Sequence, residues 1–375
     1  MTPPGQLKRV LMTTDTVGGV WHYALELCRA FQAENLEVIL ATMGPLPRPE
    51  QRAEALALSH VTLCESEFRL EWMNEPWADV ERAGQWLLEL EWRHAPDLVH
   101  LNGFVHAVLP WRAPRLVVAH SCVLSWWEAV RGGHAPADWD RYRAAVSRGL
   151  HAADLVVAPT AAMIGALRRH YGQTARCAAI HNGRDAAEFR RATRKEPFIL
   201  SVGRLWDDAK NTAALAAVAP ELEWPVQVVG DTRGPDGVDR VPCRVQALGH
   251  CSPAALAEIY ARAAIYALPA RYEPFGLSVL EAALSGCALV LGDIPSLREL
   301  WDGAADFVPP GEPPALRAAL ARLMADPPLR QRRAAAARLR AGRYSTRRMA
   351  RRYLETYRTL LAAAVRSAAA TPASA

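Results

Sequence analysis

Two glutamates eight residues apart frame the segment Glu273-Pro274-Phe275-Gly276-Leu277-Ser278-Val279-Leu280-Glu281. The apolar run Ala264-Ile265-Tyr266-Ala267-Leu268-Pro269 precedes them and reads as a buried strand, and a helical stretch from Leu277 to Ser285 follows the glycine. The first carboxylate is therefore expected on a strand-to-helix loop and the second inside the helix. Backbone N–H groups at Phe275, Gly276 and Leu277 would face outward beside the positive end of that helix, which suits an electron-rich ligand. Taken alone, the pair also fits a helix-start carboxylate followed by a solvated one.

A cationic pair lies upstream in Ser201-Val202-Gly203-Arg204-Leu205-Trp206-Asp207-Asp208-Ala209-Lys210-Asn211. A strand ends at Val202, glycine permits a close turn, and Arg204 and Lys210 flank a loop into the next helix. From those places a guanidinium fork and an ammonium can converge on one diphosphate. The competing reading pairs Arg204 and Lys210 with Asp207 and Asp208 at the surface. Only three of the 44 basic residues are lysine (Lys8, Lys195 and Lys210), so lysine at position 210 stands out in a chain that otherwise uses arginine.

Nearer the N-terminus, Gly18 and Gly19 follow the first strand and open the first helix, where backbone can approach a phosphate closely. Most Gly-Gly pairs are only turns. Asp15, Trp21 and His22 flank this one, and Trp21 fits a core or rim aromatic equally well. His120 ends the strand Leu116–Ala119, and His100 and Asn102 lie at a neighbouring strand end; polar residues at the carboxyl ends of parallel strands face the ligand crevice. The competing reading of His120 is a histidine satisfied by nearby backbone. Asp138-Trp139-Asp140 has the form of a metal–diphosphate motif but precedes an Arg-rich helical run instead of ending a strand, and is read as helix capping.

These residues need a scaffold that brings strand ends together. The first half alternates strands (Arg9–Thr13, Glu37–Ala41, Asp97–Leu101, Arg115–His120, Asp154–Ala158) with helical stretches such as Val80–Arg93 and Ala161–His170. In the helix after Gly19, Val20, Ala24, Leu27, Cys28 and Phe31 fall on one face. The second half repeats the pattern, with strands at Phe198–Val202, Val226–Val229, Arg244–Ala247, Ile265–Leu268 and Ala288–Leu291. Its helices are Asn211–Ala219, Ser252–Ala263, Leu277–Leu284 and Pro314–Ala325, the last preceded by a loop over Val308–Pro314. Such βαβ alternation specifies an α/β chain of two Rossmann-like, doubly wound domains facing a central cleft. The expected division is 1–192 and 193–344, with a linker at Arg190–Pro197. A long amphipathic helix of about residues 345–366 follows, then a small, polar, flexible tail over 367–375.

A chain of 375 residues with 51% hydrophobic and 22% charged residues suits two globular domains. The N-terminus carries no apolar leader, and no run of about 18 uncharged apolar residues occurs, which points to a cytoplasmic protein. Seven scattered cysteines without a Cys-x-x-Cys read as reduced, mostly buried thiols. Between Arg330 and Arg358 there are eleven arginines and one acid, Glu355. That region is either a solvated helical surface or a face for anionic lipid or a charged polymer. Aromatic stacking motifs for nucleic acid are absent.

The acid pair, Gly203-Arg204-Leu205 with Lys210, and the Gly18-Gly19 loop together resemble the retaining glycosyltransferases of GT-B fold, family 4, the glycogen-synthase-like group 1 glycosyl transferases. The resemblance spans nearly the whole chain, is strongest from Phe198 to Pro310, and is looser in the first half. It implies two Rossmann-like domains with the C-terminal helix crossing back to the first. It also implies metal-independent transfer of a hexose from a nucleoside-diphosphate sugar to a hydroxyl acceptor, whether glycan, lipid-linked glycan or metabolite, in cell-surface polysaccharide or glycoconjugate synthesis. No cofactor is implied beyond the donor, for which uridine diphosphate is slightly favoured. The arginine face would suit peripheral contact with the inner membrane surface.

The residue roles the resemblance implies are specific. Glu281 would hold the ribose, while Glu273 and the amides of Phe275, Gly276 and Leu277 hold the donor sugar. Arg204 and Lys210, with the Gly18–Gly19 loop, would neutralise the diphosphate. His120 would hydrogen-bond the transferred sugar, and backbone at Gly249, His250 and Cys251 would cradle the base. Asp15, Trp21, His22 and Asn102 would lie toward the acceptor. His181-Asn182-Gly183-Arg184-Asp185 matches a hinge turn, and Ser296, Arg298 and Glu299 a structural continuation. Asn211 stands where many members have glycine. A GT-B epimerase or phosphorylase would keep the same cradle, although a phosphorylase needs a pyridoxal-binding lysine. A regulatory sugar-nucleotide-binding subunit would predict the loss of a catalytic group.

Overall fold

The computed structural model describes residues 7–172, 176–234, 237–240 and 243–370. The chain divides into two compact units: Met1–Leu124, Ala135–His181 and Thr346–Ala375 form the first, and Ser125–His134 with Asn182–Ser345 form the second. The passage between units therefore falls at His181–Asn182, ahead of the polar stretch Arg190–Pro197. Pro197 itself sits at the start of a strand, where its missing N–H costs little.

In the first unit the elements run β1 (Arg9–Asp15), α1 (Gly19–Gln32), β2 (Glu37–Met43), α2 (Pro49–Leu56), β3 (Val61–Cys64), α3 (Trp77–His94) and β4 (Leu98–Leu101). They continue with β5 (Arg115–Val118), α5 (Asp140–Ala152), β6 (Leu155–Ala158), α6 (Ala161–Tyr171) and β7 (Cys177–Ala179), while α4 (Val123–Arg131), between β5 and α5 in the chain, belongs to the second unit from Ser125 on. The strands form one parallel sheet in the order β3-β2-β1-β4-β5-β6-β7. Val10, Leu11, Met12, Thr13 and Thr14 of β1 are all buried, as required of a central strand covered on both faces.

The second unit contains β8 (Glu196–Val202), α7 (Thr212–Val218), β9 (Val226–Val229), β10 (Gln246–Ala247), α8 (Pro253–Arg262) and β11 (Ala263–Leu268). Next come α9 (Leu277–Leu284), β12 (Ala288–Gly292), α10 (Pro295–Trp301), β13 (Asp306–Val308), α11 (Pro313–Ala325) and α12 (Pro327–Ala341). Its parallel sheet has the order β10-β9-β8-β11-β12-β13. The last helix, α13 (Thr346–Ala370), belongs to the first unit. Its Met349, Tyr353 and Tyr357 are buried with Tyr23 and Phe31 of α1. The segment 371–375, which includes most of the expected tail, lies outside the described residues.

Each sheet reverses direction at one point, between β1 and β4 and between β8 and β11. In doubly wound sheets the crevice outside the strand carboxyl ends at that point takes the ligand. The loops of interest after β1, β8 and β11 all start there.

Several expectations change. Edge strands β3, β7 and β13 are too short for the periodic reading to find, and β13 occupies the start of the Val308–Pro314 stretch read as loop. Arg244 has φ +63°, a left-handed conformation that excludes it from a strand, so β10 is shorter than Arg244–Ala247. Asp140 caps nothing with its side chain; it is the first residue of α5 and pairs with Arg143 at 2.8 Å, favourable charge at a helix start. Cys28, Cys122 and Cys287 are buried, but Cys64, Cys177 and Cys251 are half-buried and Cys243 is exposed, so burial is less general than expected. Among the described residues no helix is long and apolar enough to cross a membrane.

Candidate active site

In the second unit the three loops after β8, β9 and β10 are stitched together by backbone. Gly203 donates to Val229 O, Leu205 to Asp231 O and Gly230 to Gly249 O, at 3.0, 2.9 and 2.9 Å. Gly230 has φ +142°, and a Cβ there would lie 1.8 Å from the Gly203 carbonyl oxygen. This close approach fixes where Arg204 begins. The Arg204 guanidinium donates to Asp207 Oδ2 at 2.8 Å and lies over the Trp206 ring, while its Nε is buried without a hydrogen-bond partner.

Asp207 is the hub of this loop. It is buried and accepts from Arg204, from the Trp126 indole at 2.9 Å and from Ala209 N at 3.0 Å. Burial raises its pKa, but Arg204, Lys210 and the indole outweigh that, so the carboxyl titrates below its ordinary range. Asp208 is exposed and pairs with Arg131. Of the two surface pairings considered from sequence, Arg204 with Asp207 forms and Lys210 with Asp208 does not.

Lys210 instead crosses to the loop after β11, its Nζ 2.5 Å from Glu273 Oε2, with both side chains largely buried. Asn211 explains its own identity. Its φ is +56°, in the left-handed region that favours glycine or asparagine, and its amide donates to Pro269 O and Pro310 O at 2.9 and 2.8 Å. It thereby ties the loop that carries Lys210 to the ends of β11 and β13.

Glu273 is further fixed by Ser296 Oγ, which donates to its carbonyl at 2.5 Å. Gly276 caps α9 with φ +85°, and a Cβ there would come within 2.9 Å of Val279 Cγ2. Among the described residues the N–H groups of Phe275, Gly276 and Leu277 donate to no protein acceptor. Phe275 itself is buried against Tyr344. Lys210, Glu273 and these amides are thus brought together with Arg204 at one sheet crevice.

Glu281 is buried one helical turn and more away, with Oε1 3.1 Å from Arg184 Nε. Arg184 is itself buried beneath Phe189. Read from sequence as part of a hinge turn, it proves to be the ion partner that orients Glu281. Nothing local marks it, because the pair spans two distant segments; a lone arginine next to an Asn-Gly turn is the only hint. Gly249 has φ +70°, His250 faces Asp231 at 3.6 Å, and Cys251 is half-buried at the start of the turn into α8.

In the first unit, Asp15 Oδ1 accepts from Val17 N at 2.8 Å, bending the chain into Gly18, which has φ +89° and caps α1. Gly19 is the first helical residue. His22 is half-buried. Trp21 is fully buried in the core and its indole donates to Glu54, so it packs α1 and presents no surface toward an acceptor. Asn102 Oδ1 is the hydrogen-bond partner of His120 Nε2 at 2.8 Å and His100 Nε2 at 3.1 Å. Burial pulls the pKa of His120 down to about 3, with His100 adding to the effect, so its imidazole is neutral at pH 7. His100 is completely buried and structural in its surroundings.

The fold is shared with solved glycosyltransferases. Sucrose-phosphate synthase from Thermosynechococcus elongatus superposes with a TM-score of 0.81 at 19% identity, covering 95% of this chain and 100% of that one. Anabaena HepE, solved in complex with UDP-glucose, gives 0.72 at 17% identity, covering 93% and 98%. Two parallel Rossmann-like units with this topology are the GT-B architecture. The family profile for Glycosyltransferase Family 4 matches residues 17–188 and that for Glycosyl transferases group 1 matches residues 196–326. Glycogen synthase of Mycobacterium tuberculosis is 26% identical over 86% of this chain and 86% of its own length. The chain belongs to the family 4, group 1 glycosyltransferases.

Proposed function

We propose that this glycosyltransferase moves a hexose from a nucleoside-diphosphate sugar to a hydroxyl acceptor with retention of configuration and without an essential metal. The observation that carries the reading is the convergence of Arg204, Lys210 and Glu273 with the unpaired amides at the start of α9. Two cations whose charges are balanced by carboxylates can turn to a diphosphate, which offers more acceptor oxygens than Asp207 or Glu273. That supplies leaving-group stabilisation from side chains alone. Glu281, held by Arg184, would accept from ribose hydroxyls, and Glu273 with the Phe275–Leu277 amides would hold the sugar. The uridine donor is favoured by the UDP-glucose bound to HepE. Gly249, His250 and Cys251 would meet the base through backbone groups.

In the reaction the C1–oxygen bond to the diphosphate breaks and the acceptor oxygen bonds C1 on the same face. The acceptor proton passes to the departing phosphate oxygen, so no protein base is consumed. His120, neutral, would hydrogen-bond the transferred sugar, and the Gly18–Gly19 turn would add N–H groups toward the phosphates. Asp15 and His22 remain candidates for the acceptor side, whereas the Asn102 side chain is engaged with Thr13, His100 and His120. The acceptor is a glycan, lipid-linked glycan or metabolite, and the protein is proposed to work in the cytoplasm.

The arginines of 330–358 bear on membrane contact. Arg330 and Arg340 bond backbone carbonyls and Arg333 pairs with Asp306, which leaves α13 as the stronger basic surface for anionic lipid. Thermal melting against uridine, guanosine and adenosine diphosphates and their hexose forms tests the donor assignment. One nucleotide should raise the melting temperature, with and without EDTA, and Lys210→Ala should remove the shift. Folded protein that responds to none of them would overturn the assignment.

A further inference from the structure

The groups behind His120 lie wholly in the first unit, and together they dictate where its proton sits. Asn102 donates Nδ2–H to Thr13 O at 2.7 Å, and its backbone N–H goes to Thr13 Oγ1 at 2.8 Å. The amide orientation follows: a flipped side chain would set two carbonyl oxygens 2.7 Å apart. Oδ1 is therefore the atom that faces both histidines, and an amide oxygen only accepts. His120 Nε2 at 2.8 Å and His100 Nε2 at 3.1 Å must each carry a hydrogen.

The same logic reaches the C-terminal helix. A neutral His100 protonated at Nε2 has its lone pair at Nδ1, and the Tyr357 hydroxyl of α13, 2.5 Å away, donates to it. Tyr23 OH, 3.3 Å from His100 Nε2, is then a weak second acceptor of the same N–H. The opposite tautomer of His100 would put its bare Nε2 against Asn102 Oδ1, lone pair to lone pair. Burial keeps both imidazoles neutral, lowering each pKa to about 3. The half-buried His120 makes no other protein hydrogen bond among the described residues, so its Nδ1 lone pair is uncommitted.

We propose that Asn102, backed by His100 and Tyr357, is a positioning residue that locks His120 in the Nε2–H form, so that Nδ1 accepts from a hydroxyl of the transferred sugar and selects a neutral hexose over a uronic acid. This rests on the reading of His120 as a partner of that sugar. A hydroxyl can donate to the lone pair. A carboxylate at the same place would set negative charge against a lone pair with no proton to share, whereas an Nδ1–H or an imidazolium would welcome it.

The proton is read directly by NMR of the full chain labelled with 15N-histidine at pH 7, with His120→Gln assigning the resonance. A protonated Nε2 and bare Nδ1 on His120 are expected; an Nδ1–H form or an imidazolium overturns the proposal. Selection is read from hydrolysis of UDP-glucose against UDP-glucuronate, assayed without acceptor. The unaltered protein should favour the hexose, and equal turnover overturns the selection. In Asn102→Leu the preference should fall by about tenfold in kcat, roughly one hydrogen bond's worth, with KM nearly unchanged. Should that variant fail to fold, the two wild-type measurements still decide. Failure to hydrolyse any donor, together with no nucleotide-induced melting shift, would remove the transferase reading and the sugar half of the proposal, while the NMR result stands separately.

Discussion

Lys210 and Glu273 hold each other at 2.5 Å with side chains only 16% and 11% exposed. Removing one partner leaves the other charge buried and uncompensated, so Lys210→Ala should cost about 2–3 kcal/mol in urea unfolding. Adding Glu273→Gln should recover much of that loss, because a neutral amide tolerates the site, yet nucleotide binding should stay lost. A double variant no more stable than the single would show that the pair carries no charge strain. Asn211 gives a second residue-scale expectation. Asn211→Gly keeps the φ of +56° but loses the bonds to Pro269 O and Pro310 O, whereas Asn211→Ala loses both the bonds and the conformational ease. Thermal melts should therefore rank glycine above alanine by about 1 kcal/mol. Glu273, Glu281, Arg204 and Lys210 were legible in the sequence because short spacings set them on one loop or one helix. Arg184 and Asp207 were not, because a buried ion partner is chosen by packing between distant segments. Trp21, which the resemblance sets toward the acceptor and its residue type fits equally to the core, takes the core position, which local sequence does not decide.

At the scale of elements, close backbone approach does the positioning. A Cβ on Gly230 would sit 1.8 Å from Gly203 O, so Gly230→Ala must push the strand end that carries Arg204. Gly303 also has a positive φ, +75°, but has nothing within 4 Å of its Cβ position. Gly303→Ala should cost only the left-handed penalty, about 1–2 kcal/mol. Gly230→Ala should cost more than about 3 kcal/mol or abolish the nucleotide-induced melting shift. Equal melting losses in the two variants would mean that the β8–β9 contact yields easily. The central strands were readable because burial on both faces leaves continuous apolar runs such as Ala263–Leu268, all of it buried. Edge strands β3, β7 and β13 lack that pressure, and three or four residues carry no period to detect.

For the molecule as a whole, buried histidines set the response to acid. His100 is completely buried, and its folded pKa is lowered to about 3 by burial, against the hydrogen bond it donates to Asn102 Oδ1, which acts the other way. An unfolded histidine takes up its proton near pH 6.5. Between those values the unfolded chain binds a proton that the folded chain refuses, so stability is complete above about pH 6.5 and is lost as pH falls toward 3. His94, His106 and His120 are shifted in the same direction, each chiefly by burial. Asp207, with its pKa lowered, adds a loss only in the more acidic window below its unfolded value of 3.8. Urea unfolding should therefore show the protein weaker at pH 5 than at pH 7, with His100 contributing up to about 1.4 kcal/mol per pH unit. His100→Gln retains an N–H for Asn102 Oδ1 but cannot titrate in this range. Its loss between the two pH values should be smaller than the parent's by His100's share. An equal loss would mean that His100 takes a proton in the folded state, against the cost of burying its charge.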